Sequence, residues 1–517
     1  GFPSGGKEVV FKDNYANLTT SNVCSCTIDD GKTVSISSGN SLGIEFSYTG
    51  AGSLILEDSA SLYQSDDEMI NTGFAVIKRN SSPILKKDYT YWGSPVNDQK
   101  LIDLSPNTVT NKYFSFDYEA KNWFQENPSN NMIPGKGYII QGPQNFSSYL
   151  PAKFEGVFKG IPNNGKIEIK LGNANFGSLV GNPYPSALDA DIFLTKNRSK
   201  IKGTMYFWTH NTPVTNLKYS SDDYAVYNLL GGVGTRGALS LGVNETIPDG
   251  TIASGQAFFI VSKGAGSAEF NNSMRIADRN TTFFKPFKNK NGIEKHRIWL
   301  NLKNSEGVFK QTLVGYIHGA TNLYDEDYDA ESINGNQFVD FYSTIQSKKL
   351  VIQGRALPFV QTDTINLGYK TSVAGNFEIS IDHTDEFFDD LNIFIEDKDL
   401  KITCNLKDKP YSFTTQQGTF SNRFVLKFTN EVLKNGTFEN TNEKIFVSSK
   451  NKIIKVISTE GLIKDLSVFD ISGKLLYNKN NVENSEFQIS NLGISHQVLL
   501  VRVVLENGSK TSKKIIF

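Results

Sequence analysis

Helical periodicity is almost absent from this chain, and that absence constrains its fold more than any motif does. Runs of strand length, roughly four to eight residues, recur from one end to the other. They are rich in Val, Ile, Thr, Tyr and Phe, and Gly, Asn, Asp and Pro separate them. Such a chain has to bury its apolar side chains between sheets, so the expected class is all-β. With 517 residues and 38% hydrophobic side chains it can fill several cores, about three or four domains by length. The formal net charge of −1 argues against a dedicated nucleic-acid or anionic-membrane partner. No apolar run approaches the ~20 residues of a membrane-spanning helix. Cys24, Cys26 and Cys404 make no disulfide framework and have no zinc-ligand spacing around them. The opening Gly1-Phe2-Pro3 without a Met reads as the start of a mature or truncated piece of something longer.

Strand spacing divides the chain into segments. Over residues 1–84, runs such as "VCSCTID", "KTVSIS", "NSLGIEF" and "GFAVIKR" recur about every ten residues, which suits β-solenoid-like rungs or a small sandwich in need of a cap. Residues 85–284 read as a β-rich domain with an internal duplication. "YWGSPV" (91–96) is echoed by "LVGNPYP" (179–185), "KYFSFD" (112–117) by "TMYFWTH" (204–210), and "PGKGYIIQG" (134–142) by "ASGQAFFIVSKG" (253–264), in the same order. Regular strands over 285–430 point to a β-sandwich or jelly roll, and the polar stretch 431–443 to a linker. The remainder, 444–517, reads as a compact Ig-like β-sandwich of about seven strands.

The last 22 residues, "HQVLLVRVVLENGSKTSKKIIF", read as a hairpin around Asn507-Gly508, a pair suited to a type I′ turn. That turn sets Leu500 opposite Ile515, Leu499 opposite Ile516 and Val498 opposite Phe517, and makes Arg502 face Lys513 as a like-charge pair. A free end that is a paired strand leaves the terminal carboxylate in a defined place that a partner can read. Its lysines fit either docking on an acidic surface or the guarding of an edge strand.

The stretch "IKVISTEGLIKDLSVFDISGKLLYNK", followed by "QVLLV", "LENG" and the terminal "KKIIF", resembles the C-terminal sorting domain of type IX secretion cargo in Bacteroidota, closest to its type C variant. Upstream, "CSCTIDDGKTV", "DYTYWGSPV", "PGKGYII", "GNPYPSALDAD", "EKHRIWLNL", "LVGYIHGAT" and "LVIQGRALPF" resemble regions that precede this signal in flavobacterial surface proteins. The resemblance implies an address: export across the outer membrane through a barrel translocon with its associated shuttle protein, then a life secreted or at the cell surface. The export-signal residues it singles out are Arg502, Asn507, Gly508, Lys513, Lys514 and Phe517. It does not name the passenger's activity.

Motifs of catalysis are missing from the sequence: no nucleophile elbow, phosphate loop or Ser/His/Asp arrangement. The expected protein is a non-enzymatic, adhesin-like one, with a secreted carbohydrate-binding or carbohydrate-active protein as the alternative. Asp189 and Asp191 in "GNPYPSALDAD" are either paired carboxylates or metal ligands on one strand face, or capping aspartates of a turn. The acidic run "YDEDYDAES" offers Asp325, Asp327 and Asp329 to a calcium ion, or is a solvated loop; no other cofactor is expected. Trp92, Trp123, Tyr206 and Trp208 are candidates for stacking on the sugar rings of a surface glycan, although aromatics at alternate strand positions also build cores. Asp58-Ser59-Ala60 and Asp363-Thr364-Ile365 resemble the O-glycosylation sequon of exported Bacteroidota proteins, which makes Ser59 and Thr364 candidate acceptors.

Overall fold

Short strands without room for a core of their own have to stack, and the first 80 residues do so. In the computed structural model the described residues are 6–209, 224–235, 247–277, 280, 293–333, 336–429, 445–450, 453–458, 461–490, 492–493 and 497–517. Glu8–Phe11, Ser25–Ile28 and Tyr48–Thr49 form one parallel sheet. Tyr15–Leu18, Thr33–Ile36, Ser53–Leu56 and Phe74–Asn80 form a second, and Ser21–Val23, Ser41–Ile44 and Ser61–Gln64 a third. Together they are the three faces of a β-solenoid. Ser41 lies beside Ser61 and Thr33 beside Ser53, so a rung takes 20 residues there, divided among three faces. Leu18, Ile36, Leu56 and Ile77 make one column through the interior, all fully buried. Each rung therefore covers the apolar side chains of the next.

An open last rung would leave unpaired strand edges. Here the following segment closes them. Glu155–Gly160 pairs antiparallel with Phe74–Asn80. On the third face Leu62 donates its N–H to the Pro185 carbonyl at 2.8 Å. The buried Arg275 guanidinium donates to the Leu62 carbonyl at 2.6 Å, and Asn280 to that of Ala60 at 2.6 Å. The boundary expected at residue 84 thus runs through a shared sheet, and residues 1–430 form one compact unit.

Two sheets of the same strand order follow. The first consists of β1 (Tyr89–Trp92), β2 (Tyr113–Asp117), β3 (Asn122–Gln125) and β4 (Tyr138–Gln141), in the order β1-β4-β2-β3. The second holds β5 (Gly177–Gly181), β6 (Ile201–Trp208), β7 (Tyr224–Asn228) and β8 (Ala257–Ser262), in the order β5-β8-β6-β7, continued by Gly231–Val233. A helix, α1 (Ala190–Lys196), follows β5. The sheets meet reciprocally: Trp92 bridges to Gln256 as Val180 bridges to Lys136. Likewise Gly93 N–H donates to Gly255 O at 2.8 Å, and Gly181 N–H to Gly135 O at 3.0 Å. This is a pseudo-twofold contact inside one chain, with Gly93 and Gly181 against each other at its centre.

Residues 295–427 form an 11-stranded sheet that curls back on itself, so that Ile395 and Phe413, near opposite ends of its strand order, share one core. Trp299 from this sheet donates its indole N–H to Gly232 O at 2.8 Å. Its apolar neighbours there include Tyr206, Val226 and Leu230.

Residues 431–517 form a second compact unit. Its described strands make a sheet of three and a sheet of four around one core that includes Leu466, Val501 and Ile515. The terminal hairpin has the expected strands, β9 (Val498–Leu505) and β10 (Lys510–Ile516), but its register differs by one residue. Leu499 pairs with Ile515, Leu500 with Lys514 and Arg502 with Ser512. Of the turn pair, Gly508 alone has a positive φ, +84°. Gly508 N–H donates to Leu505 O at 3.0 Å and Leu505 N–H to Ser509 O at 2.9 Å. That is a three-residue loop with glycine in the left-handed position, in place of a two-residue type I′ turn. Arg502 consequently does not oppose Lys513, and the like-charge pair does not form.

Candidate functional site

Alternation along the strands sends one row of aromatics from each repeat to the same side. Phe114 and Phe116 of β2 and Trp123 of β3 meet Trp208 of β6, Tyr224 of β7 and Phe259 of β8 in one cluster with Tyr91. The rings pack mainly edge to face: Phe116 and Trp123 at 5.3 Å, Phe116 and Phe259 at 5.0 Å, Trp208 and Tyr224 at 5.1 Å. Tyr91 and Trp208 lie nearly parallel, 12° apart with centroids at 6.1 Å. A cavity of about 470 Å³ opens over this cluster, walled by Tyr89, Tyr91, Phe114, Trp123, Trp208 and Tyr224, with Lys87 and Asp88 at its rim. The Tyr91 and Tyr224 hydroxyls meet at 3.0 Å. Burial raises the Tyr91 phenol well above its ordinary value, with the neighbouring Tyr224 adding to the effect. Both therefore stay neutral and available for hydrogen bonds at ordinary pH. Half-buried aromatic faces with a few polar groups at the edge are what a sugar ring needs, since its C–H face stacks and its hydroxyls bond.

Of the four aromatics expected to stack on ligand, Trp123 and Trp208 line this cavity. Trp92 does not. It is 1% exposed and packs edge-on against Phe154 and Phe158 on the solenoid side, because it follows Tyr91 on β1 and so faces the other way. Tyr206 is also withdrawn, 5% exposed in the contact with the 11-stranded sheet. The residues missed are Tyr89, Tyr91, Phe114 and Tyr224. The alternation in "YTYW" was the available signal for the tyrosines of β1, and nothing in the local sequence marked Tyr224.

The acidic run does not converge. Asp327 pairs with Arg198 at 2.7 Å and Lys263 at 2.8 Å. Asp329 is buried and accepts the N–H groups of Asp325 at 2.7 Å and Gly354 at 2.9 Å, while Asp325 accepts from the Asp327 N–H at 3.1 Å. Each carboxylate serves an internal partner, and two cations stand where calcium would need more oxygens. Among the described residues no group of three or more His, Cys, Asp or Glu side chains is placed to hold a metal ion. Asp189 caps helix α1 through the Ile192 N–H at 3.1 Å, and Asp191 accepts from the Tyr227 hydroxyl at 2.7 Å, so neither is an open acid. Thr364 is exposed at the start of its strand, whereas Ser59 is covered in a turn, its φ +69°.

At the C-terminal unit, Leu500, Arg502 and Lys514 share a groove of about 550 Å³ with Phe469 and Ile471. Ile471 is 85% exposed and Leu500 42%. Lys513 is half-buried, Asn507 is exposed and accepts the Ser509 N–H, and Phe517 packs against the core while exchanging backbone hydrogen bonds with Gln497. A groove with an apolar floor and two cations is open to an extended, acidic partner.

In comparisons with known families, residues 1–428 match a domain of unknown function (DUF8693) and residues 433–517 a second one (DUF8694). No curated protein matches the chain.

Proposed function

We propose that this chain, which belongs to the family described as domain of unknown function DUF8693, is an exported, adhesin-like protein of the cell surface or medium. In this reading the C-terminal unit is the type IX sorting signal, read by the translocon barrel and its shuttle protein, and residues 1–430 are a non-enzymatic binding body. The observation that carries the reading is the division at residue 430. The small second sandwich ends on a paired strand, and its hairpin offers Arg502 and Lys514 beside exposed apolar side chains. A body that does its work by binding needs a delivered surface, and an address that folds by itself leaves that body free to vary. The test is a fluorescent reporter fused to residues 431–517, expressed in hosts with and without a working type IX translocon. Translocon-dependent appearance outside the cell is expected. A reporter retained in the periplasm of both hosts refutes the address.

A second reading, a secreted carbohydrate-binding protein, is favoured by the aromatic cavity between the repeats. Glycan-array binding that Trp208→Ala removes would support it, and an array without binders would count against it.

A further inference from the structure

The aromatic cavity between the repeats carries a charge that a neutral ligand does not use. Its wall residues Tyr89, Phe114, Trp123, Trp208 and Tyr224 are half-buried, and Lys87 at its rim is exposed, so a ligand in the cavity can reach both. The volume of about 470 Å³ falls within the roughly 300–1,000 Å³ of small-molecule sites.

The backbone of Lys87 is held at the rim from two sides. Leu85–Asp88 is a turn in which Asp88 N–H donates to Leu85 O at 3.1 Å and Leu85 N–H donates to the Asp88 carboxylate at 2.7 Å. From β4, the Gln141 side-chain amide donates to the Lys87 carbonyl at 3.3 Å. The two charged residues of the rim therefore differ in what they offer. An Asp88 oxygen is taken up by the turn, whereas the Lys87 ammonium has no ion pair or hydrogen bond among the described residues. Beside walls of aromatic carbon its field is screened less than on an open surface.

We propose that the aromatic cavity binds an acidic sugar, a hexuronic acid whose ring stacks on the aromatic wall and whose carboxylate pairs with Lys87. The proposal rests on the carbohydrate-binding reading of this cavity and names the class of sugar. The wall supplies stacking that serves any pyranose, neutral or charged, and the lysine supplies the preference. A hexuronic acid carries its carboxylate at the ring edge, and Lys87 stands at the edge of the wall.

Saturation-transfer NMR titrations on the full chain test this. The probes are D-glucuronic and D-galacturonic acid, with D-glucose and D-galactose as their neutral counterparts. At low salt at least one acid should bind about threefold to fivefold more tightly than its counterpart, the worth of a solvent-facing ion pair. The preference should fade at about 0.5 M salt, where screening acts within a few Å. Lys87→Gln should bring the acid down to the affinity of the neutral sugar, and Lys87→Arg should keep the preference. Lys87 is exposed, so an unchanged thermal midpoint is expected and separates loss of the charge from loss of the fold. Trp208→Ala should weaken acidic and neutral sugars alike. Acids that bind no better than their counterparts, or a preference that survives Lys87→Gln, would overturn the proposal and leave the carbohydrate reading standing. Binding of none of the four sugars would overturn that reading and the proposal with it.

Discussion

The pseudo-twofold contact makes a prediction whose size can be worked from distances. A Cβ added to Gly181 would lie 2.6 Å from the Gly93 Cα, and one added to Gly93 would lie 2.8 Å from the Gly181 Cα. Carbon atoms settle at about 3.5–4.0 Å, so Gly181→Ala has to push the two strands apart by about 1 Å. The obstacle is backbone on both sides, and no side chain can swing clear. A shift of that size stretches the bonds that close the contact: Gly93 N–H to Gly255 O at 2.8 Å, Gly181 N–H to Gly135 O at 3.0 Å and Asn182 N–H to Gln256 O at 2.9 Å. At about 1 kcal/mol net for each, the loss is about 3 kcal/mol, the upper end of what overpacking costs. Urea unfolding of the full chain, followed by tryptophan fluorescence, would report it, since Trp92, Trp123 and Trp208 all lie in or beside the repeats. Gly264→Ala is the control, because a Cβ there meets nothing within 4 Å. It should stay within about 0.5 kcal/mol of the parent. If Gly181→Ala unfolds at the parent's midpoint, the close approach is not real and the pseudo-twofold argument fails with it.

Two buried aspartates should tie stability to pH in opposite senses. Burial alone would raise the Asp397 carboxyl, but hydrogen bonds from Arg423 and Tyr411 overcome it and hold it below the ordinary aspartate value. Its contribution is therefore present above about pH 4 and lost as pH falls through the depressed value. Asp397→Asn should cost about 3–5 kcal/mol at neutral pH, by stranding the buried Arg423, and remove that acid sensitivity in a pH series of urea melts. Burial pushes Asp329 up to about 7 despite the N–H groups it accepts from Asp325 and Gly354. Its contribution is full below about pH 4 and fades as pH rises toward 7, so Asp329→Asn should flatten that decline; an unchanged slope between those limits refutes the assignment.

What was legible in the sequence follows from which interactions are local. Strand runs and turn residues are local, so the all-β class and the break near 430 could be read directly. The solenoid was visible as rungs, but its closure was not. Arg275, Asn280 and Glu155–Gly160 reach back from far along the chain to cap it, and no spacing announces them. The echo of "YWGSPV" in "LVGNPYP" marked the two glycines that later meet, although the contact itself is tertiary. The hairpin register failed on a single residue: Asn-Gly permits a two-residue turn without requiring one, and the loop took Glu506 as well. Trp92 misled because a tryptophan in a strand says nothing of which face it occupies until its neighbours are placed.

The duplication also accounts for where the aromatic cavity lies. Ile139 of β4 pairs with Phe114 as Phe259 of β8 pairs with Tyr206, so these two residues hold equivalent places in the repeats. Phe259 fills its side of the cluster, touching Phe116 at 5.0 Å and Trp123 at 5.9 Å, whereas Ile139 is a wall of the open cavity. The cavity thus lies on the side where this position carries isoleucine and its counterpart carries phenylalanine. Ile139→Phe restores the symmetry at a strand position whose counterpart already carries that ring. The added ring has about 470 Å³ of open space to enter, so the stability change should be under about 1.5 kcal/mol. A sugar stacked in that cavity should bind more weakly, because the new ring narrows it at the wall shared with Tyr91. A glycan still bound at parental affinity by Ile139→Phe would have to sit elsewhere, and the binding surface would then have to be sought outside the repeat interface.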